Sequence, residues 1–233
     1  MIFDINRIES TDSTNNEIRK FIGASPKNAI VLAAEYQTAG RGRSNRTWSS
    51  PKGNLYTSIL IKNSLEPKHM VFYSFAAGLS VADVIRNALP DARVELKWPN
   101  DVLLNGKKTS GILIESTGDF LIIGIGINVE KHPEEAMYPV TSLNAESNRK
   151  FEADYVLDEL LKSFDKRCTI LHQKKFDEIR LAWHKHALKG MTSVKLPNGN
   201  VVKGEFLDIT PEGNLRLTTD NRVQVINSGD IFI

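Results

Sequence analysis

Gly40-Arg41-Gly42-Arg43-Ser44-Asn45-Arg46-Thr47-Trp48 follows directly on Ala29–Tyr36, a short apolar run of β character, so a strand runs straight into a basic, glycine-containing loop. Arg41, Arg43 and Arg46 put three fixed charges into a few residues. Each guanidinium is a planar fork of donors that matches phosphate and carboxylate oxygens. Gly40 and Gly42 remove side chains beside them, which lets backbone approach a ligand. Trp48 offers a flat ring for stacking. Such a loop can hold a nucleotide by its phosphates. A solvated basic loop is the other reading of the same residues, and the rest of the chain has to decide between them.

Outward from the loop the pattern is mixed. Thr14 and Glu17 have capping-box spacing and predict a helix start, with Ile18, Phe21 and Ile22 as its apolar face. Leu55–Ile61 reads as a strand, and Pro67 suits the first turn of a long helix running to about Leu89. Val94–Trp98, Val102–Asn105 and Gly111–Glu115 are strand candidates, with Asn105-Gly106 as a two-residue hairpin turn. Phe120–Val129 reads as a buried strand whose Gly124 and Gly126 admit close backbone approach. Residues 130–150 read as a loop, and Phe151–Leu171 and Phe176–His186 as helices. Near Gly190 the period changes. Ser193–Leu196, Val201–Ile209, Asn214–Thr218, Arg222–Ile226 and Ile231–Ile233, separated mostly by Pro/Asn/Gly turns, predict a small closed β-barrel. The expected domains are 1–187 and 188–233.

The chain has 233 residues, 41% hydrophobic and 25% charged, the make-up of an ordinary globule with one large domain, or one large and one small. A net charge of +2 creates no global field toward nucleic acid or anionic membrane, so the basic character is local. The lone Cys168 excludes an internal disulfide and a cysteine-based zinc cluster, and it reads as a small buried apolar residue. The first residues lack the basic and apolar regions of a signal peptide, and no apolar run is long enough to span a bilayer, so a cytoplasmic protein is expected.

A second cluster, Lys97-Trp98-Pro99-Asn100-Asp101, lies between two predicted strands. A lysine at a strand end beside a proline turn can deliver a point charge into a pocket; a surface hairpin with a solvated lysine is the alternative. Familiar phosphate and nucleophile motifs are missing. There is no G-x-x-x-x-G-K-[ST] and no G-x-S-x-G, and Gly124-Ile125-Gly126 lacks a third glycine because residue 129 is Val. The five histidines form no H-E-x-x-H, and His184 and His186 diverge on a helix.

The ordered motifs Asp12-Ser13-Thr14-Asn15, Glu35 to Arg43, Arg46 and Trp48, Lys97 to Asp101, Lys108 to Glu115 and Gly124 to Val129 together resemble those of the biotin protein ligases (biotin–acetyl-CoA-carboxylase ligases). The likeness covers about residues 8–130, and the small C-terminal β domain also fits. Ser110 departs from it, since the family usually has Gly or Ala before Gly111; a hydroxyl there narrows the pocket or adds a hydrogen bond. The resemblance implies an α+β fold: a mixed sheet flanked by helices, like the class II aminoacyl-tRNA synthetases, with a small Src-homology-3-like C-terminal β-barrel. It implies adenylation of biotin by ATP with Mg²⁺, then transfer of biotin to a lysine of a biotin carboxyl carrier domain.

Residue by residue, the resemblance puts biotin against Ser13, Thr14, Asn15, Gln37, Arg41, Gly42, Arg43, Lys97 and Gly111. It puts the nucleotide against Arg43, Arg46, Trp48, Lys97, Asn100, Lys108 and Asn128. Lys97 is the expected main electrostatic catalyst, with Arg43 assisting. Mg²⁺ is expected mainly on the ATP phosphates, with Asp101 as a possible ligand. The arginine loop is expected to be mobile until ligands order it. The β domain is expected to complete the nucleotide site or dock the acceptor. Lipoate or octanoate transfer is the alternative within the same architecture. Because the motifs begin at residue 12, leaving no room for a helix-turn-helix, no DNA partner is expected. No membrane partner is expected either, and a homodimer remains open.

Overall fold

The computed structural model describes residues 1–23, 29–136, 138–220 and 222–232. A seven-stranded sheet carries the larger part: β1 (Phe3–Thr11), β2 (Ala29–Gln37), β3 (Leu55–Lys62), β4 (Val94–Lys97), β5 (Asp101–Leu104), β6 (Lys107–Thr117) and β7 (Phe120–Ile127). Their spatial order is β1-β2-β3-β7-β6-β5-β4, with β1 and β2 parallel and every other pairing antiparallel. β2, β3 and β7 are buried on both faces over most of their length, which is why they read as largely apolar runs. In β2, Val31 and Ala33 enter the main core, while Ile30 and Leu32 face a smaller cluster with Ile18, Leu60 and Ile122.

The main core lies under α2 (Val71–Ala88), α3 (Ala153–His172) and α4 (Phe176–Lys185). Thirteen of the eighteen residues of α2 are buried, so it is the central helix of that layer. Cys168 of α3 is buried there, as its small apolar character predicts, and burial pushes its thiol pKa up. The other face carries α1 (Thr14–Glu17) and a 3₁₀ turn, Ile18–Phe21. The Asn105-Gly106 turn forms as predicted. Both residues have positive φ (52° and 78°), the backbone of a two-residue hairpin joining paired Leu104 and Lys107.

The N-terminal region departs from the sequence reading. β1 was not legible: its apolar residues are few and only partly buried, because it is an edge strand. The predicted N-terminal helix is one α turn followed by a 3₁₀ turn, and the Thr14–Glu17 capping box does not form. Ser13 is the N-cap and makes no side-chain cap bond, and Gln37 accepts from the Thr14 amide that Glu17 would take in a capping box (N···Oε1 2.8 Å).

The barrel is also not closed among the described residues. β8 (Met191–Lys195), β9 (Val201–Ile209), β10 (Leu215–Thr219), β11 (Arg222–Ile226) and β12 (Asp230–Phe232) form an antiparallel sheet in the order β11-β10-β9-β8-β12. β9 is shared: its first half pairs with β8 and its second half with β10, across a register shift. Closure would need β11 and β12 to meet edge to edge. β12 has only three residues, and its start is turned toward the large sheet, where Asp230 meets Arg46 and the Ile231 carbonyl meets Lys97. Ile233, included in the last predicted strand, lies outside the described residues. The two sheets share one core: Val194, Ile209, Leu215 and Leu217 join it, and Trp98 Nε1 donates to the Gly213 carbonyl at 3.1 Å. Among the described residues no helix is long and apolar enough to cross a membrane.

Candidate active site

A cavity of about 360 Å³ opens on the α1 face of the large sheet, above the glycines of β6 and β7. One end is neutral and polar. Ser13, Thr14 and Asn15 are all buried here, at the start of α1. Gln37 Oε1 accepts from the Thr14 amide, its Nε2 donates to Ser50 Oγ (2.9 Å), and Ser58 Oγ donates to Asn15 Oδ1 (2.6 Å) while lying 2.8 Å from Thr14 Oγ1. Asn15 Nδ2 in turn donates to Glu115 Oε2 at 2.9 Å. Short side chains held by this network make a rigid template for a ligand that both gives and takes hydrogen bonds.

The floor explains the glycines. A Cβ on Gly124 would stand 2.3 Å from Asn15 Oδ1, and one on Gly126 would stand 2.6 Å from the Trp48 indole. Trp48 also lies against Gly111, so its ring covers two neighbouring strands, and its buried N–H finds no acceptor among the described residues.

The other end is cationic. Arg43 Nη1 donates to Asn100 Oδ1 (3.2 Å) and to the Gly229 carbonyl (3.3 Å), and Arg46 Nη2 pairs with Asp230 at 2.7 Å. Asn100 is itself pinned to β6, donating to the Ile112 carbonyl at 2.9 Å. Lys108 lines the cavity, with Nζ 5.4 Å from the ring centres of both Trp48 and Tyr138. Asn128 lies at the end of β7, its Nδ2 on the Thr141 carbonyl at 3.0 Å. Bringing anions together here costs Coulomb repulsion, which this set of cations offsets.

Most of the expected site residues therefore meet: Ser13, Thr14, Asn15, Gln37, Arg41, Gly42, Arg43, Arg46, Trp48, Asn100, Lys108, Gly111 and Asn128 all line one cavity. Lys97 does not. It is buried beside the cavity rather than among its lining residues, with Nζ 3.0 Å from Asp101 Oδ2, 3.4 Å from the Ile231 carbonyl and 5.5 Å from the centre of the Tyr138 ring, which does line the cavity. The other oxygen of Asp101 holds Lys108 at 2.8 Å. Burial works against the Asp101 charge, but Lys108 and Lys97 outweigh it and hold its pKa below the usual carboxylate range. Both oxygens thus face ammonium groups rather than offering themselves to Mg²⁺. Among the described residues no group of three His, Cys, Asp or Glu side chains could hold a metal ion. Ser110 is fully buried and is not among the cavity's lining residues, and its hydroxyl has no hydrogen-bond partner among the described residues.

The arginine loop is more tied down than its composition implies. Arg41 pairs with Glu115 at 2.7 Å, Arg46 with Asp230, and the Gly42 amide donates to the Arg46 carbonyl at 2.7 Å. Sequence reasoning gave no role to Ser58, Glu115, Asp230 or Asn54. Asn54 Oδ1 accepts from the amides of Val129, Glu130 and Lys131 (3.0, 2.9 and 2.9 Å) and so fixes the chain leaving β7. Glu115 closes a recognised motif, which was a signal for it. The others sit in unremarkable contexts.

Comparison with known proteins agrees with this geometry. A family model described as "Biotin/lipoate A/B protein ligase family" matches residues 7–129, and one described as "Biotin protein ligase C terminal domain" matches residues 192–233. The biotin–[acetyl-CoA-carboxylase] ligase of Paracoccus denitrificans is 34% identical over 95% of this chain and 97% of its own length. The bifunctional ligase/repressor BirA of Bacillus spizizenii is 34% identical over 96% of this chain and 71% of its own. The structure of a biotin protein ligase from Aquifex aeolicus in complex with biotin and ATP superposes with a TM-score of 0.87, at 28% identity, covering 98% of this chain and 97% of that one.

Proposed function

The chain belongs to the biotin/lipoate A/B protein ligase family, and from that premise we propose that it is a biotin protein ligase that adenylates biotin and passes it to a carrier-domain lysine. The observation that carries the reading is a single cavity with a rigid neutral hydrogen-bonding end and a cationic end. A ureido head needs the first, with its paired donors and acceptors. A carboxylate meeting a triphosphate needs the second.

In the first half-reaction a carboxylate oxygen of biotin attacks the α-phosphorus of ATP. The new O–P bond forms as the bond to the bridging oxygen breaks, and pyrophosphate leaves. Charge grows on the non-bridging and leaving oxygens, and prepositioned cations favour that state over the ground state. Lys108 takes the role first assigned to Lys97, because its ammonium lines the cavity. Arg43 and Arg46 hold phosphate oxygens, Asn128 meets the base, and Trp48 closes the wall over Gly111 and Gly126. ATP enters as its magnesium complex, and the metal supplies charge neutralisation on the phosphates. The protein donors found here do not form a site of their own for it, so no step runs through one.

In the second half-reaction the amine of an acceptor lysine attacks the acyl carbon of the mixed anhydride. The N–C bond forms, the C–O bond to phosphate breaks, AMP leaves, and the amine proton passes to solvent. The acceptor is the biotin carboxyl carrier domain of a carboxylase, and the enzyme works in the cytoplasm. The segment from 188 onward acts as a small domain that completes the nucleotide end through Gly229 and Asp230.

Incubation with MgATP and equimolar biotin, lipoate and octanoate, read by mass spectrometry, tests the proposal. Biotinyl-adenylate alone is the expected product. Adenylation of lipoate or octanoate moves the chain to the sister activity, and no adenylate from any acid refutes the enzymatic reading.

A further inference from the structure

Lys97 is a buried ammonium outside the set of residues that line the cavity, its Nζ 5.5 Å from the centre of the lining Tyr138 ring. With Lys108 and Asp101 it forms a lysine–carboxylate–lysine row in which all three residues are 8% exposed. A buried carboxylate with one lysine is a neutral pair; with two it leaves one net positive charge. Drawing Lys108 away from a carboxylate it alone compensates would strand a buried charge, which is costly. With Lys97 on the opposite oxygen, that cost is shared.

We propose that Lys97 is a positioning residue for adenylation: it neutralises Asp101, so that Lys108 keeps a full positive charge free to turn toward the substrate carboxylate and α-phosphate. The Ile231 carbonyl, 3.4 Å from Lys97 Nζ, holds the ammonium in place. The same turn into β12 supplies Gly229 and Asp230 to Arg43 and Arg46, so one short stretch of chain steadies three cations around the nucleotide end. This inference rests on the assignment of Lys108 to the reacting atoms, and the test separates the two.

Biotin-dependent ATP–pyrophosphate exchange is measured for Lys97→Met, Asp101→Asn, the Lys97→Met/Asp101→Asn double variant and Lys108→Met, with thermal unfolding and biotin binding alongside. Lys97→Met should lower kcat about tenfold to a hundredfold with KM for biotin changed by no more than about threefold, the signature of a lost electrostatic contribution in the transition state. Removing the Asp101 charge as well should return at least about tenfold of that loss, because Lys108 then carries its charge uncompensated again. A purely structural role for Lys97 gives no such rescue. A near-normal Lys97→Met enzyme, or a double variant no faster than Lys97→Met, overturns the proposal. Should Lys97→Met fold poorly, Asp101→Asn is compared with the double variant. With Asp101 neutral, Lys97 has no charge to compensate, so the two should exchange within about threefold, and a tenfold gap overturns the proposal. Normal exchange by Lys108→Met defeats the Lys108 assignment itself. Loss of exchange there, with no rescue in the double variant, defeats only the role of Lys97.

Discussion

Gly124→Ala tests the biotin end most directly. An added Cβ would lie 2.3 Å from Asn15 Oδ1 and 2.9 Å from its Cγ, whereas ordinary contacts begin near 3.4 Å. The carboxamide must therefore retreat by about 1 Å, because Gly124 sits mid-strand between β3 and β6 and cannot move. Asn15 is not free to retreat without loss: Ser58 Oγ holds Oδ1 at 2.6 Å and Glu115 holds Nδ2 at 2.9 Å. Overpacking and two strained hydrogen bonds together cost about 1–3 kcal/mol of stability, a fall of roughly 2–10 °C in Tm for a chain of this size. With Asn15 binding biotin as proposed, its displacement also weakens that contact, so biotin should bind about 10–100-fold more weakly by titration calorimetry. The clash is specific to one partner, so Asn15→Ala should abolish it: in that background Gly124→Ala should shift biotin affinity by less than about threefold. Wild-type affinity in Gly124→Ala, or an equal loss in the Asn15→Ala background, refutes the reasoning.

Asn54→Ala strips the acceptor from three backbone amides at residues 129–131 and the donor from the Lys131 carbonyl. It should cost about 3–4 kcal/mol in urea unfolding and raise KM for ATP by loosening the chain beyond Asn128; a loss under about 1 kcal/mol would mean that water replaces the side chain without penalty. The Glu146 carboxyl is held down at about 2 by hydrogen bonds, the largest contribution coming from Asn105, with Thr141 and Lys107 adding to it against some desolvation. Its folded pKa lies below the unfolded value of 4.5, so its contribution is full above that value and falls as pH drops toward 2. Glu146→Gln should therefore destabilise most near neutral pH, with about two-fifths of the difference gone by pH 3.5. A difference unchanged between those two pH values contradicts it. Asp230→Asn removes the carboxylate shared by Arg43 and Arg46. Trypsin should then cut the free protein after these arginines several-fold faster (roughly threefold or more), while biotin and ATP restore protection. An unchanged cleavage rate shows that other contacts hold the loop.

The inner strands and long helices were legible because burial wrote them into the sequence. Two-sided burial makes β2, β3 and β7 largely apolar runs, and α2 is apolar on nearly every face because it lies between strands β4 to β7 and the helices α3 and α4. β1 was not legible, since an edge strand buries too little to impose a pattern. The open form of the small sheet escaped for a related reason. Strand patterns reveal which residues extend, but closure depends on whether β12 turns toward β11 or toward the large sheet, and that is decided by Asp230 and Arg46, far apart in sequence. The same limit applies to the capping box. Thr14 and Glu17 have the right spacing, but a distant Gln37 takes the amide that such a cap would satisfy.

The two lysines show where local reading ends and sheet order takes over. Both lie in motifs, and nothing along the chain says which one faces the cavity. β4, which carries Lys97, is the outermost strand, whereas β6, which carries Lys108, adjoins β7 and its glycine floor. Two strand spacings, roughly 10 Å, separate β4 from β6, more than a lysine side chain spans. Lys97 therefore reaches Asp101 on β5, the Ile231 carbonyl and the edge of the Tyr138 ring, but not the glycine floor. The register shift between β5 and β6 places Lys108 opposite Leu103 and Ser110 opposite Val102, one residue out of simple alternation. A bulge of this kind redirects a side chain at the edge of a site. Here Lys108 Nζ ends above the cavity, between the Trp48 and Tyr138 rings, while still touching Asp101. The motif is thus divided by topology: Lys108 lines the cavity, while Lys97 pairs with the other oxygen of the same carboxylate, which is the division that the proposed role of Lys97 rests on.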